Sequence, residues 1–499
     1  MDIVFIQPPF WGTTTPPLGL ASMKAMANEL GLETKCLDLN IELYQWAGKK
    51  YGKYWHLAEG YGPCEDQEEV LSFYKDFHHL ILVYRKRLVE LKPKEIWISV
   101  QNSSSLFTSL LIRELNGISD IYLGGPQIWQ FEQEGIDTKE IFPESNGYCL
   151  SEGESFFRSE MESFAKDLDK LPFPDFRDFD LDKYDYSDSL PIYFSRGCIN
   201  KCIFCSERGL HGGVYRYRSG WRVFNDLRHQ LLMHPDVFFF HFHDSVSNGN
   251  IKELINFCDL MIDNGLGKKI KWSMGNATIR KEMRKPLYEK MKKAGCTFIG
   301  YGLETPIPRL LKEIGKNSAV GTDIEAIVRE AYEVGMKVNL NFMFGLPGET
   351  VSDFEGTIDF LRHNKDYIYQ VNPALNLCGF FPGSKGYNYP NECGIKLGAN
   401  PLLWQDKETD YSIRKFRFIQ FTNEAKHLGI KNFFGEVKKP AFPWKENLFY
   451  GSETQLPTGD RQSILWFLGR LWANFWFLLT RDIKGTVRKW HYTRVGRNS

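Results

Sequence analysis

Ser195-Arg196-Gly197-Cys198-Ile199-Asn200-Lys201-Cys202-Ile203-Phe204-Cys205 is the stretch on which the reading of this chain turns. Its cysteines fall at C-x3-C-x2-C, with an aromatic residue just before the last. Three thiolates hold three irons of a [4Fe–4S] cluster, whereas electron-transfer clusters of that type use four cysteines. The missing ligand leaves one iron open to a small molecule, which makes a catalyst of an electron carrier. A second reading of the same residues is a Cys3His zinc tetrahedron completed by His211. Zinc ligands usually come as two close pairs, and no second Cys pair follows at that distance. The run Pro191-Ile192-Tyr193-Phe194-Ser195 reads as a strand. The cysteine loop therefore follows a strand's carboxyl end, where the chemistry of barrel folds is placed.

Working outward, strand patterns recur at 192–195, 237–243, 270–274, 297–302, 337–344 and 370–377, with helical patterns between them. Six βα units over 191–385 predict a partial (βα)6 barrel, open at one side. Strand ends carry Phe242-His243-Asp244-Ser245, Gly302-Leu303-Glu304-Thr305 and Phe344-Gly345-Leu346-Pro347-Gly348-Glu349-Thr350. Lys316-Asn317 and Phe381-Pro382-Gly383-Ser384 follow in register. Behind the cysteine loop, this series resembles the radical S-adenosylmethionine (SAM) superfamily. The resemblance implies that Cys198, Cys202 and Cys205 ligate a [4Fe–4S] cluster whose open iron takes the amino and carboxylate groups of SAM. An electron from the cluster then splits SAM into methionine and a 5′-deoxyadenosyl radical. It also implies Phe204 beside the adenine, Glu304 on the ribose or amino group, and Gly345 and Gly348 in backbone contact with the adenosine. An acidic pair is common at the end of the second strand; here its second member is Ser245. Glu349-Thr350 reads equally well as a plain helix N-terminus. Arg280 reads as a solvated surface residue. His241 and His243 alternate on one strand and so face the same way, toward a substrate cavity or a packed core rather than as a metal pair.

The first 165 residues alternate strand and helix patterns. Strands read at 3–6, 34–38, 95–100, 120–123 and 148–150, with helices at 18–30, 68–91 and 106–115. This predicts a doubly wound parallel sheet of flavodoxin-like type, which binds ligands beyond its strand carboxyl ends. Pro16-Pro17-Leu18-Gly19-Leu20-Ala21-Ser22-Met23, Leu123-Gly124-Gly125-Pro126 and Glu152-Gly153-Glu154 occur in that order. They resemble the cobalamin-binding domain that precedes many radical SAM domains. The His-bearing D-x-H-x-x-G of other cobalamin domains is missing; Asp76-Phe77-His78-His79 lacks the glycine and lies in a helical pattern. The resemblance thus implies cobalamin held with no protein His on cobalt. Gly124 and Gly125 would meet a corrin edge, and Ser103, Ser104 and Ser105 its polar side groups. The alternative is a flavodoxin-like domain that binds nothing. Residues 166–190, with Leu171-Pro172-Phe173-Pro174, have no period and read as an extended linker.

A chain of 499 residues holds two or three domains. Lys+Arg and Asp+Glu are both 62, so no global field favours nucleic acid. The cysteines outside the motif are scattered, and the N-terminus lacks a basic, apolar leader, which reads as a reducing, cytoplasmic setting. Residues 386–499 read as a mostly helical C-terminal region. Within it, 464–480 is rich in Trp and Phe and is followed by Lys and Arg. That segment either docks on the barrel or lies in a membrane interface as a peripheral contact, in which case the substrate is hydrophobic. The resemblance implies a cobalamin-dependent radical SAM enzyme that moves a methyl group to an unactivated carbon of a small molecule. Its electrons would come from a reductase or from flavodoxin or ferredoxin. The alternatives are a radical SAM oxidoreductase or cyclase and, in another class, an iron–sulfur electron carrier or a zinc-stabilised scaffold.

Overall fold

Every residue of β1 (Ile3–Gln7) is buried, as a central parallel strand covered on both faces requires. It pairs in parallel with β2 (Thr34–Asp38) and β3 (Glu95–Ser99), and β4 (Asp120–Gly124) and β5 (Gly147–Tyr148) extend the sheet in the order β2-β1-β3-β4-β5. That is the flavodoxin-type order, whose topological switch lies between β1 and β3. Helices α1 (Leu18–Glu29), α2 (Leu39–Tyr51), α3 (Gln67–Leu91), α4 (Ser105–Leu115) and α5 (Pro126–Glu134) connect the strands. Asp66 starts α3 by accepting from the amides of Glu68 and Glu69, and Lys92 ends it in the left-handed conformation. The computed structural model describes residues 1–55, 63–157, 164–372, 377–398 and 400–432. The aromatic segment 464–480 lies outside the described residues, and no described helix is long and apolar enough to cross a membrane.

The linker is a strap welded to the first sheet. Phe176, Phe179 and Tyr184 are buried in one core with Ile3, Phe5 and Leu20 on one side and Leu190 and Ile192 on the other. Lys24 Nζ lies 3.4 Å from Asp175 and 2.8 Å from Asp178. Burial raises the Asp175 pKa, but Arg177 and Lys24 outweigh it and bring it to about 2.

The second sheet runs β6 (Ser189–Ile192), β9 (Phe239–Phe242), β10 (Lys271–Thr278), β11 (Cys296–Glu304), β12 (Lys337–Phe342), β13 (Gln370–Asn372) and β16 (Lys431–Asn432), all parallel. A short antiparallel pair, β7 (Ser195–Arg196) with β8 (Arg216–Tyr217), closes the cysteine loop, and β14 (Lys396–Leu397) with β15 (Trp404–Gln405) forms a hairpin. The outer strands β6 and β16 do not pair, so the barrel is open. The first strand falls three residues earlier than the hydrophobic run suggests, because Phe194 and Ser195 turn away to bond Asp244. Helices α6 (Thr138–Ile141) and α7 (Glu154–Phe157) precede the linker. Across the barrel come α8 (Glu207–Leu210), α9 (Gly220–Met233), α10 (Ile251–Asp263), α11 (Lys285–Lys293), α12 (Pro308–Glu313), α13 (Ile324–Glu333), α14 (Val351–His363), α15 (Lys385–Asn388) and α16 (Tyr411–His427). The helix-facing side of the strands, with Trp272, Met274, Tyr301, Leu340, Phe342 and Val371, is buried and apolar. Phe418 and Phe421 of α16 pack into the same core, so the segment after residue 386 supplies both a helix and the seventh strand to the barrel.

Candidate cluster and nucleoside site

The cysteine loop is held by its own backbone. Gly197 has φ 78, and a Cβ there would lie 2.3 Å from the Val214 carbonyl oxygen, so only glycine fits. The buried Asn200 donates to Thr278 Oγ1 at 3.0 Å and accepts from the Ser318 amide at 3.1 Å, which ties the loop to the end of β10. The amides of Lys201 and Ile203 donate to the carbonyls of Gly315 and Ile314 at 3.1 and 2.9 Å. Phe204 is partly buried against the apolar group that includes Leu310, Ile314 and Leu346.

Cys198, Cys202 and Cys205 are free and half-buried. Burial pushes the Cys202 thiol up to about 12 and Cys205 up to about 11. Lys316 acts in the opposite sense on all three. Thiols so placed ionise when a bound metal supplies the positive charge, which fits the donor set of an iron–sulfur cluster. A single zinc ion does not fit. Both ring nitrogens of His211 are taken, Nδ1 lying 3.1 Å from Glu152 Oε1 and Nε2 3.1 Å from Glu207 Oε1. Among the described residues no three His, Cys, Asp or Glu are arranged to hold one ion. Each iron of a cluster takes its own thiolate, so its three sulfurs need not converge on a point.

Lys316 is the residue sequence reasoning passed over. Its Nζ lies 2.7 Å from Glu304 Oε1, with both side chains nearly buried. Glu304 ends β11 at φ 65, after a register shift that turns it out of the strand. A Cβ on Gly302 would stand 3.0 Å from Glu304 Oε1 and 3.1 Å from Lys316 Nζ, so glycine there leaves the pair room. The lysine was legible only as part of Lys316-Asn317; nothing local predicts that it meets a glutamate twelve positions earlier.

The other strand-end residues are placed as follows. Asp244 is buried; its Oδ1 accepts from the Phe194 amide and Ser195 Oγ, each at 2.8 Å, and from the Ser195 amide. Burial outweighs these bonds and raises its pKa to about 7. Ser245, the non-acidic member of the expected pair, donates to Glu207 Oε1 at 2.5 Å, so a carboxylate from just beyond the cysteines stands there instead. Gly345 has φ 66, and a Cβ on it would overlap Arg414 Cγ at 1.8 Å. Gly348 has φ 72, donates to Asp406 at 2.7 Å and faces the Arg309–Glu313 pair. Glu349 is buried, accepting from the Gly345 amide at 2.8 Å and from Arg417 at 2.6 Å, while Thr350 caps α14 through a reciprocal bond with Asp353. Arg280 pairs with Glu282 at 3.3 Å.

In the N-terminal sheet, Gly125 has φ 101 and a Cβ would lie 2.7 Å from the Val100 carbonyl oxygen; Gly124 neighbours Cys149. Ser104 and Ser105 are buried at the start of α4, and the half-buried Ser103 donates to the Phe10 carbonyl. His78 lies on α3, 3.0 Å from Glu114.

The two strand-end edges meet. Beyond β5, Glu152 takes Arg216 at 2.5 Å, Arg196 at 3.1 Å and His211 at 3.1 Å, and Glu154 takes Arg196 at 2.6 Å. Burial disfavours the Glu152 carboxylate, but Arg216, His211 and Arg196 hold its pKa far below the usual range. From α5, the Trp129 ring lies against Gly209 and Gly383, where a Cβ would come within 3.0 and 2.2 Å of it. The carboxyl ends of both parallel sheets therefore face one another.

Residues 192–361 match the family model described as the radical SAM superfamily. That segment is a radical SAM domain. A radical SAM domain carries a [4Fe–4S] cluster and uses SAM, and the three cysteines fall inside the matched segment. An uncharacterised methyltransferase of Pyrococcus horikoshii is 27% identical over 265 residues, 52% of this chain and 54% of the relative. The bacteriochlorophyllide d C-12(1)-methyltransferase of Chlorobaculum tepidum is 26% identical over 237 residues, 46% and 50% of the two chains. The chain thus spans about half the length of these curated relatives. Among solved structures, the radical SAM methyltransferase TsrM of Kitasatospora setae, with cobalamin and a [4Fe–4S] cluster bound, shares the fold. Its TM-score is 0.57 at 15% identity, covering 79% of this chain and 80% of that one.

Proposed function

We propose that the protein reductively cleaves SAM at a cluster on Cys198, Cys202 and Cys205 and uses cobalamin, held by the N-terminal sheet, in methyl transfer to an unactivated carbon of a small molecule. When bound, the cluster supplies the electron, and the corrinoid a methyl carrier. The protein's part is to bind, orient and keep out water. Phe204 would flank the adenine, Glu304 with Lys316 would hold the ribose or amino group, and Gly345 and Gly348 would shape the adenosine wall. Gly124 and Gly125 would line the corrin side. A reductase or a flavodoxin- or ferredoxin-type donor would feed the cluster.

The observation that carries this reading is the apposition of the two sheet edges. A doubly wound sheet binds at its carboxyl edge, and so does a barrel. Here the edges are joined by the Glu152 network and Trp129, so ligands on each would share one space. Most of the relatives are named for methyl transfer, which favours it, although one, 31% identical over 163 residues, is named a cyclase.

The test is anaerobic reconstitution with iron, sulfide and hydroxocobalamin, followed by reduction with SAM present. We expect bound corrinoid, S-adenosylhomocysteine and 5′-deoxyadenosine, and a cob(II)alamin EPR signal without protein nitrogen coupling. Formation of 5′-deoxyadenosine with no bound corrinoid would favour an oxidoreductase or cyclase. No SAM cleavage at all would defeat the proposal.

A further inference from the structure

Side chains alternate across a strand, so the residues between the core-facing ones of β9–β13 line the barrel lumen. That lining is polar toward the carboxyl edge and mixed with the Phe239 and Phe298 rings toward the amino edge. Its floor is His241 and Ser273, in register on neighbouring strands, with Asn339 beside Gly300 one step nearer the carboxyl edge. His241 Nδ1 stands 2.9 Å from Ser273 Oγ, and Ser273 and Asn339 are buried. Beyond these come His243, on the same face as His241, and then Asn341 and Asn372, which are in register on neighbouring strands.

The space above the floor is real. Gly275 and His243 are exposed although they sit on or beside interior strands of the sheet, whose other face is covered by the core. A Cβ on Gly275 would meet nothing within 4 Å. On the next strand a Cβ on Gly300 would lie 2.3 Å from the Gly275 carbonyl oxygen. Glycines at 275, 300 and 302 thus make a smooth backbone wall that runs from this cup to the Glu304–Lys316 pair.

The cup holds no cation of its own, and the charge that acts on its floor is the Asp188 carboxylate, just before β6. Burial and the neighbouring His243 pull the His241 pKa down to about 4 against the opposite influence of Asp188, so that ring is neutral near pH 7. At the far end of the glycine wall, Glu304 and Lys316 neutralise each other at 2.7 Å. What remains is imidazole and carboxamide, groups that both donate and accept. One of them is unsatisfied. Asn339 is 4% exposed and its Nδ2 donates to Asn341 Oδ1 at 2.9 Å, but its Oδ1 has no partner among the described residues. A buried acceptor left bare costs stability unless a ligand donates to it.

We propose that the cup takes an uncharged substrate with adjacent hydrogen-bond donors and acceptors, such as a carboxamide, lactam or heterocycle edge, laid against the glycine wall. This rests on the reading of the barrel as the site of SAM chemistry. A carboxylate or phosphate would be stripped of water with no cation to meet it. A hydrocarbon would leave the amides unpaired, and sites built to hydrogen-bond reject analogues that lack the groups.

The probes are benzamide, benzoate and toluene, titrated by calorimetry into the cluster-loaded full-length chain. Benzamide should bind at least about tenfold more tightly than either of the others, a difference of about 1.4 kcal/mol. Gly275→Val, which fills the open space, should weaken benzamide while iron content and melting temperature stay at wild-type values; Asn341→Leu should weaken it too. Benzoate or toluene binding as well as benzamide, no benzamide binding, or benzamide binding untouched by Gly275→Val would each overturn the assignment. SAM cleavage is scored separately on the same wild-type preparation. Its failure sinks the proposed function, whereas cleavage together with indifference among the probes sinks only the cup.

Discussion

Glu152 Oε1 and His211 Nδ1 lie 3.1 Å apart, and that contact joins the N-terminal sheet to the cysteine-loop side of the barrel. Glu152 also neutralises Arg216 and Arg196, all three being nearly buried. Removing one partner of a buried charge group strands the rest. Glu152→Ala should lower unfolding free energy by about 3–5 kcal/mol in denaturant titration, with Glu152→Gln falling between it and wild type. A loss within the error of the measurement would mean that the network does not hold the halves together.

The same histidine makes the junction pH-dependent. Burial pulls the His211 pKa down, but Glu152 and Glu207 outweigh it and raise it above the ordinary 6.5. A raised folded pKa gives stability that is complete below 6.5 and is lost as pH climbs through the folded value. Wild type should therefore lose stability relative to His211→Gln on going from mildly acidic to mildly alkaline pH. A stability difference independent of pH between the two proteins would contradict this sign.

Gly345 and Gly348 should separate in stability. Both have positive φ, but a Cβ at 345 overlaps the buried Arg414 side chain, while at 348 its nearest neighbour is Glu313 at 3.3 Å. Gly345→Ala should cost about 1–3 kcal/mol from overpacking on top of backbone strain, and Gly348→Ala about 1 kcal/mol. Equal melting temperatures for the two variants would show that Arg414 moves aside freely.

Changing Cys198, Cys202 and Cys205 together to Ala should abolish bound iron and sulfide after reconstitution, and any single change should abolish SAM cleavage. Asn200→Ala, which cuts the ties to Thr278 and Ser318, should destabilise the loop by about 1–2 kcal/mol and speed cluster loss. A triple variant that keeps a stoichiometric cluster would remove these cysteines as its ligands.

Much of this was legible in the order of residues. The cysteine spacing, the parallel strands of both sheets and the cap at Thr350 are local, because a strand's hydrophobic run and a helix's first turn are written in neighbouring residues. The seventh strand, Lys431–Asn432, was not legible: two residues carry no period, and the strand exists because α16 delivers it to the edge of β13. Nor was the role of Glu349, whose strand-end position suggests a ligand but whose partner, Arg417, lies 68 residues later.

By itself, then, the sequence determined the fold class of each half and singled out the cysteine loop as the candidate cluster site, since both depend on periodicity and on spacing within a few residues. Only the tertiary structure decided which edges face each other and that His211 is a bridge between two glutamates rather than a zinc ligand. Those outcomes depend on distance, burial and charge among residues such as Glu152 and His211, 59 positions apart, and no local pattern encodes such a meeting.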